Sequence, residues 1–187
     1  MPLTTRSSLL ARLGEGGDDP WREFDGLYTP FLLRVAARCG LAGQDVDEAV
    51  QMVMVDLHRT FATFRYDRNK GTFKAYLRKI MLTTISRMMR QRQRAGTPSA
   101  VPSDATDNAM EAMWEQEYQQ HLLHEALNQV RGEVEPSTYQ AFDLYALQEV
   151  PVGEVARFLN LSNDSVYQAK TRVTARLKAI VAERDGE

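Results

Sequence analysis

The sequence is poor in the residues on which cross-linking and metal chemistry depend. A single cysteine, Cys39, stands in 187 residues, so an internal disulfide is excluded. It ends an apolar helical stripe, and a buried, reduced thiol is expected. The histidines number three; His121 and His124 lie close together in one helical stretch. No cysteine or third ligand accompanies them, so no metal site and no cofactor are expected. No apolar run is long enough to span a bilayer, and the N-terminal residues lack a signal-peptide pattern. The expectation is a cytoplasmic protein with no membrane partner. Positive charge is nearly missing from one region: from Asp104 to Glu149 there are ten acids and one base, Arg131.

That local scarcity is half of a division that the net charge of −2 conceals. Residues 1–95 carry 16 Lys/Arg and 10 Asp/Glu, whereas residues 96–187 carry 7 and 15. A basic half and an acidic half suggest two modules with different partners. The basic charge concentrates between Phe61 and Arg94, where Arg65, Arg68, Lys70, Lys74, Arg78, Lys79, Arg87, Arg90, Arg92 and Arg94 face one acid, Asp67. Phe61, Phe64, Tyr66, Phe73 and Tyr76 are interleaved with them. Cations that neutralise phosphates, beside rings on which bases stack, are the ingredients of single-strand nucleic-acid binding. A plainer account is an amphipathic core helix with a solvated basic face. It holds in part, because Phe73, Leu77, Ile80, Met81, Thr84 and Met88 form one stripe at helical spacing. The charge imbalance exceeds that of an ordinary solvated face, where signs mix.

Upstream, Trp21, Phe24, Leu27, Tyr28, Phe31, Leu32, Val35 and Cys39 recur at three- and four-residue steps and predict a helix. Pro30 lies inside it and predicts a kink or break. Gly40 suits a C-cap. Asp45 to Phe61 reads as the next helix, with Asp45 as N-cap and Glu48 as its capping-box partner. Its acidic first turn, Asp45, Asp47 and Glu48, complements the helix dipole or offers a docking patch for a basic partner. Three acids so close on one helix do not converge as a metal cage does.

Residues 95–109 contain two prolines and small polar residues without periodicity, and read as a flexible linker. Helical periodicity resumes at Met110 and runs through Trp114, Tyr118, Leu122, Ala126 and Val130 to a turn at Gly132 and Pro136. Another helix is expected from Ser137. Val152 to Thr171 fits a helix-turn-helix. Val155, Leu159, Leu161, Val166 and Ala169 occupy packing positions, Ala156 is small where the helices approach, and Asn160 stands where the turn needs a left-handed backbone. Ser162 supplies the next N-cap. The second helix would carry Lys170, Arg172, Arg176 and Lys178 and enter a major groove by its N-terminal half. A helical hairpin for protein contacts is the alternative.

Two modules of this kind resemble a bacterial RNA polymerase sigma factor, closest to the extracytoplasmic-function group of the sigma-70 family. The likeness rests on Asp47-Glu-Ala-Val-Gln51, on Phe64 through Arg78, and on Leu161 through Tyr167 with Arg172 through Leu177. It implies an all-α fold with two small helical domains: residues 1–94 as a region 2 domain, a linker over 95–109, and residues 110–187 as a region 4 helix-turn-helix domain. By the same resemblance Asp47, Glu48 and Gln51 dock on the clamp helices of the core RNA polymerase β′ subunit. The family usually has an acid where this chain has Met52. Phe64, Tyr66 and Phe73 would take bases of the melted −10 promoter element, with Arg68, Lys70, Lys74 and Arg78 on the DNA backbone. Asn163, Asp164, Ser165, Tyr167, Gln168, Lys170 and Arg172 would bind the −35 element, and the hydrophobic side of that domain the β flap. An anti-sigma factor is a further implied partner, and no enzyme activity is implied. Two rival readings are a stand-alone helix-turn-helix regulator on duplex operators and a metal-dependent nuclease using Asp45, Asp47 and Glu48. The first leaves the aromatic-basic stretch unexplained; the second lacks any accompanying nucleophile arrangement.

Overall fold

Glycine and its nearest substitute end two helices of this chain, at Gly40 and Asn160. In a computed structural model that describes residues 6–63, 72–94 and 107–185, every regular element is helical, and no strand occurs among the described residues. The all-α expectation therefore holds. The chain divides into two compact units, residues 1–120 and 121–186.

The first unit contains α1 (Arg6–Glu15), α2 (Asp18–Arg38), α3 (Gln44–Thr63), α4 (Phe73–Arg94) and the first half of α5 (Asp107–Glu133). Helix α2 runs unbroken through Pro30, contrary to the expected break. Proline deprives only the carbonyl four residues earlier of its partner. That residue is Gly26; both it and Pro30 are exposed, so the loss falls on the solvent side. The opposite side buries Phe24, Tyr28, Phe31, Leu32, Val35 and Ala36. The helix ends in a Schellman turn: Gly40 has φ +94°, its N–H reaches the Ala37 carbonyl at 3.0 Å, and Leu41 N–H reaches the Ala36 carbonyl at 3.1 Å.

Asp45 is not the cap of α3. The helix begins at Gln44, and the Asp45 carboxylate forms an ion pair with Arg92 at the far end of α4. Helix α4 starts from Thr72, whose Oγ1 accepts the Ala75 N–H at 3.2 Å. Its buried face is Phe73, Leu77, Met81, Thr84, Ile85 and Met88. Ile80, expected on that stripe, is half-buried, and Ile85 takes a core place. The ring of Phe73 meets Phe24 at 5.8 Å, Tyr28 at 5.6 Å and Phe61 at 6.2 Å. Cys39 is buried as expected, and burial pushes its thiol pKa up to about 11.

Met110, Trp114 and Tyr118 belong to this first unit rather than to a second core beginning at Met110. Trp114 is fully buried and meets the Phe31 ring edge-on at 4.9 Å; Tyr118 meets it at 5.9 Å. The helical period was legible in sequence, but an apolar stripe does not say which neighbour it covers.

The second unit holds the rest of α5, α6 (Pro136–Phe142), a π-helical turn (Asp143–Leu147), α7 (Val152–Leu159) and α8 (Asn163–Asp185). Helix α6 opens with Pro136, one residue before the expected Ser137, since proline's missing N–H costs nothing at the first helical position. One part of the core joins Ala126, Val130, Phe142, Val173, Leu177 and Ile180. A second part joins Ala141, Val155, Ala156, Val166 and Ala169, which fixes α7 against α8.

Candidate nucleic-acid interfaces and docking face

The turn between α7 and α8 has the chemistry its residues require. Asn160 sits at φ 54°, ψ 47°, in the left-handed region, and Leu161 N–H closes on the Ala156 carbonyl at 2.8 Å. Ser162 Oγ accepts the Ser165 N–H at 3.1 Å and lies 2.8 Å from Ser165 Oγ. With Val166, Ala169 and Val173 buried, the helical period turns Asn163, Asp164, Tyr167, Gln168, Lys170 and Arg172 outward. Ser165 is half-buried and its hydroxyl serves the cap. The face is buttressed by a residue that sequence reading missed. Tyr145, from the π-helical turn, meets the Tyr167 ring edge-on at 5.5 Å, and Lys170 Nζ lies 5.1 Å from its centroid. The extra residue of a π turn has no periodic signature in sequence, so nothing marked Tyr145 as a support.

Arg176 departs from the expected basic face. Its guanidinium donates to Glu133 at 2.6 and 3.0 Å, a bidentate pair within the second unit. The hydrogen bond from Arg176 is the main reason the Glu133 carboxyl titrates below its ordinary range. Arg184 likewise serves the fold, reaching Glu125 at 2.6 Å and Gln129 at 2.7 Å. Phe158, on α7, is 80% exposed, an apolar ring that periodicity alone did not single out.

In the first unit, Phe64, Tyr66, Arg68 and Lys70 lie outside the described residues. Phe73 and Phe61, counted among the interleaved rings, are core residues at 3% and 4% exposure. Their faces are taken by other side chains, so the expected stacking role of Phe73 is corrected to a structural one. Tyr76 is half-buried and donates its hydroxyl to Thr60 Oγ1 at 2.9 Å.

The cations of α4 divide into two groups. Lys74 Nζ is 2.9 Å from Glu115 and 4.4 Å from the centre of the Tyr118 ring; Arg78 pairs with Glu111. Lys79, Arg87, Arg90 and Arg94 are exposed. An open groove of about 870 Å³ runs past Arg78, Lys79, Ser86, Arg90 and Gln93 and is bounded by Glu111. Such a groove offers cations and hydroxyls to a phosphate backbone.

Asp47, Glu48 and Gln51 share the exposed side of α3. Glu48 also lines a cleft of about 220 Å³ with Asp45, Met52, Arg87, Gln91 and Arg92. Asp45 is withdrawn from this acidic patch by Arg92, leaving Asp47 and Glu48 as its outward charges. Among the described residues no three His, Cys, Asp or Glu side chains converge as metal ligands, and no helix is long and apolar enough to cross a membrane.

No curated protein matches the sequence. A solved structure described as "Structure of CnrH in complex with the cytosolic domain of CnrY" is similar over 94% of this chain and 96% of that one, at 20% identity and a TM-score of 0.40. A family model described as Sigma-70 region 2 matches residues 26–95, the span of most of α2, all of α3 and α4. The helices that carry the exposed acids and the basic groove thus lie within the span that is similar to Sigma-70 region 2.

Proposed function

We propose that the protein is a sigma factor of the extracytoplasmic-function group, which binds core RNA polymerase and directs promoter recognition, melting and initiation. The observation that carries this reading is the region 2 match over residues 26–95, coincident with the helices that present the exposed acids and the basic groove. The outward set on α8 supports a second DNA-binding module in the same chain. In this reading Asp47, Glu48 and Gln51 meet the β′ clamp helices. Tyr66 and Phe64 take unpaired bases of the −10 element; Arg68, Lys70, Lys74 and Arg78 hold its backbone. Asn163, Asp164, Tyr167, Gln168, Lys170 and Arg172 face the −35 duplex, with Ser165 holding the helix start. Residues 95–109 link the two functions, an anti-sigma factor is the implied regulator, and the site of action is the cytoplasm.

The energetics favour a polymerase subunit over a free-standing DNA opener. Unstacking duplex DNA costs about 1–2 kcal/mol per base-pair step. Stacking on an aromatic ring returns about 1–3 kcal/mol per captured base. With Phe73 in the core, fewer rings remain for capture, so polymerase contacts must supply the balance. Transcription by core polymerase on genomic promoter fragments, with and without the protein, tests the reading. Promoter-specific transcripts that depend on the protein are expected; their absence, with tight operator binding by the free protein, would favour a stand-alone regulator.

A further inference from the structure

The first half of α5 is acidic on the side that meets α4, and its carboxylates land on cations that a phosphate backbone would use. Glu111 pairs with Arg78, and Glu115 lies 2.9 Å from Lys74 while also accepting from Gln119 at 2.9 Å. Glu111 additionally bounds the basic groove along α4. The same stretch is anchored independently of these pairs. Trp114 and Tyr118 are buried against Phe31, and Glu117 is gripped by Arg34 and Arg38, each at 2.9 Å. Arg38 also donates to Gln116 at 2.8 Å.

Anchor and counter-ions thus differ in kind. The anchor is apolar and desolvated, and Glu117 is buried with it. The two counter-ions are half in water, Glu111 at 52% and Glu115 at 47% side-chain exposure. Ion pairs that open to solvent are weak and are exchanged readily for a competing anion. A helix fixed by its rings can therefore keep its place while Glu111 and Glu115 swing aside.

We propose that Glu111 and Glu115 act as built-in phosphate substitutes, holding Lys74 and Arg78 in protein ion pairs until a nucleic-acid strand displaces the two carboxylates. The free chain is thereby kept from binding single strands indiscriminately. The proposal deepens the functional reading above and rests on it for the identity of the strand. It does not rest on it for the exchange itself.

The test uses the full chain and a fluorescein-labelled single-stranded oligonucleotide, with anisotropy followed across a salt series. The Glu111→Gln/Glu115→Gln variant keeps side-chain shape and removes both charges. About tenfold tighter binding at low salt is expected. The slope of log K against log salt, about 0.7 per phosphate neutralised on a single strand, should match the wild type's, because the strand reaches both cations in either protein once the carboxylates are displaced. Adding Lys74→Ala and Arg78→Ala should abolish the gain. A control with the same charge change, Asp25→Asn/Asp56→Asn on exposed positions of α2 and α3, should leave the affinity near its wild-type value. An unchanged affinity in the Glu111/Glu115 variant, with its circular dichroism intact, overturns the proposal. So does an equal gain in the control, which would reduce the effect to net charge. If the gain in affinity appears as expected while the wild-type chain fails to program core polymerase, the exchange stands and the sigma reading falls.

Discussion

On α4, Lys74, Arg78 and Arg92 are each held by a carboxylate, from Glu115, Glu111 and Asp45 respectively. On the first half of α8, Lys170 and Arg172 are exposed, and Lys170 rests over the Tyr145 ring. The two helices carry similar basic residues and present them differently. An ion pair must be broken before a phosphate can take the cation, so a strand gains less from Lys74 and Arg78 than their number suggests. A cation over a ring keeps its charge available outward. In the proposed reading, the contrast fits α8 to unassisted contact with duplex DNA and α4 to binding in which a strand first displaces its acids.

The largest expected effect would break the contrast at its apolar support. Trp114→Ala should destabilise the first unit by about 3–5 kcal/mol, the usual cost of deleting a large buried ring. Urea denaturation resolved by reporters in each unit should find the second unit's transition nearly unmoved. A smaller loss, below about 1 kcal/mol, would mean that α5 is held by its charges rather than its rings.

Next in size is the loss of a proposed DNA contact on α8. Arg172→Ala should weaken binding of holoenzyme to a −35 duplex by about 1–3 kcal/mol if the side chain makes a bidentate base contact. Opening of promoters already bound, followed by permanganate reactivity of thymines, should stay near normal. Tyr66→Ala should do the reverse, sparing closed complexes and impairing opening. The same defect from both variants would merge what the comparison separates.

Acid should act on α5 more gently. Burial tends to raise the Glu117 carboxyl, but hydrogen bonds from Arg38 and Arg34 and their charges outweigh it, and its pKa falls below 4.5. Glu115 is lowered on the same pattern, burial being outweighed by hydrogen bonds from Gln119 and Lys74 and by the charges of Lys74 and Arg78. A carboxylate lowered in the folded state stabilises it fully above the unfolded pKa, and that contribution is lost as pH falls through the folded value. The packing of α5 on the first unit should therefore be constant from neutrality to about pH 5 and weaken only below about pH 4. Trp114 emission in a Trp21→Phe background would report it, and loosening near pH 6 would count against these pairs.

The smallest effect on the protein itself should come from its outward acids. Asp47→Lys/Glu48→Lys should leave stability within about 0.5 kcal/mol, as substitutions at exposed positions usually do. Copurification with core polymerase should nonetheless fall sharply. Undiminished holoenzyme formation would leave those two acids only their complement to the α3 dipole.

Much was determined by the sequence alone. Asn160 and Ser162 placed the α7–α8 turn, because a left-handed backbone and an N-cap are local demands that few residues satisfy. Helical period marked the buried faces of α2, α4 and α8, and the excess of one charge sign marked α4 as basic. These are one-dimensional signals, carried by neighbours a few residues apart. The tertiary structure decided which partner each face receives. It put Trp114 and Tyr118 against Phe31, drew Phe73 into the aromatic core, gave Asp45 to Arg92 and set Glu111 and Glu115 on Arg78 and Lys74. Those pairings join residues from 33 to 87 positions apart where α5 meets the earlier helices. At such separations no local propensity operates, and the choice falls to packing and to charges brought together by the fold.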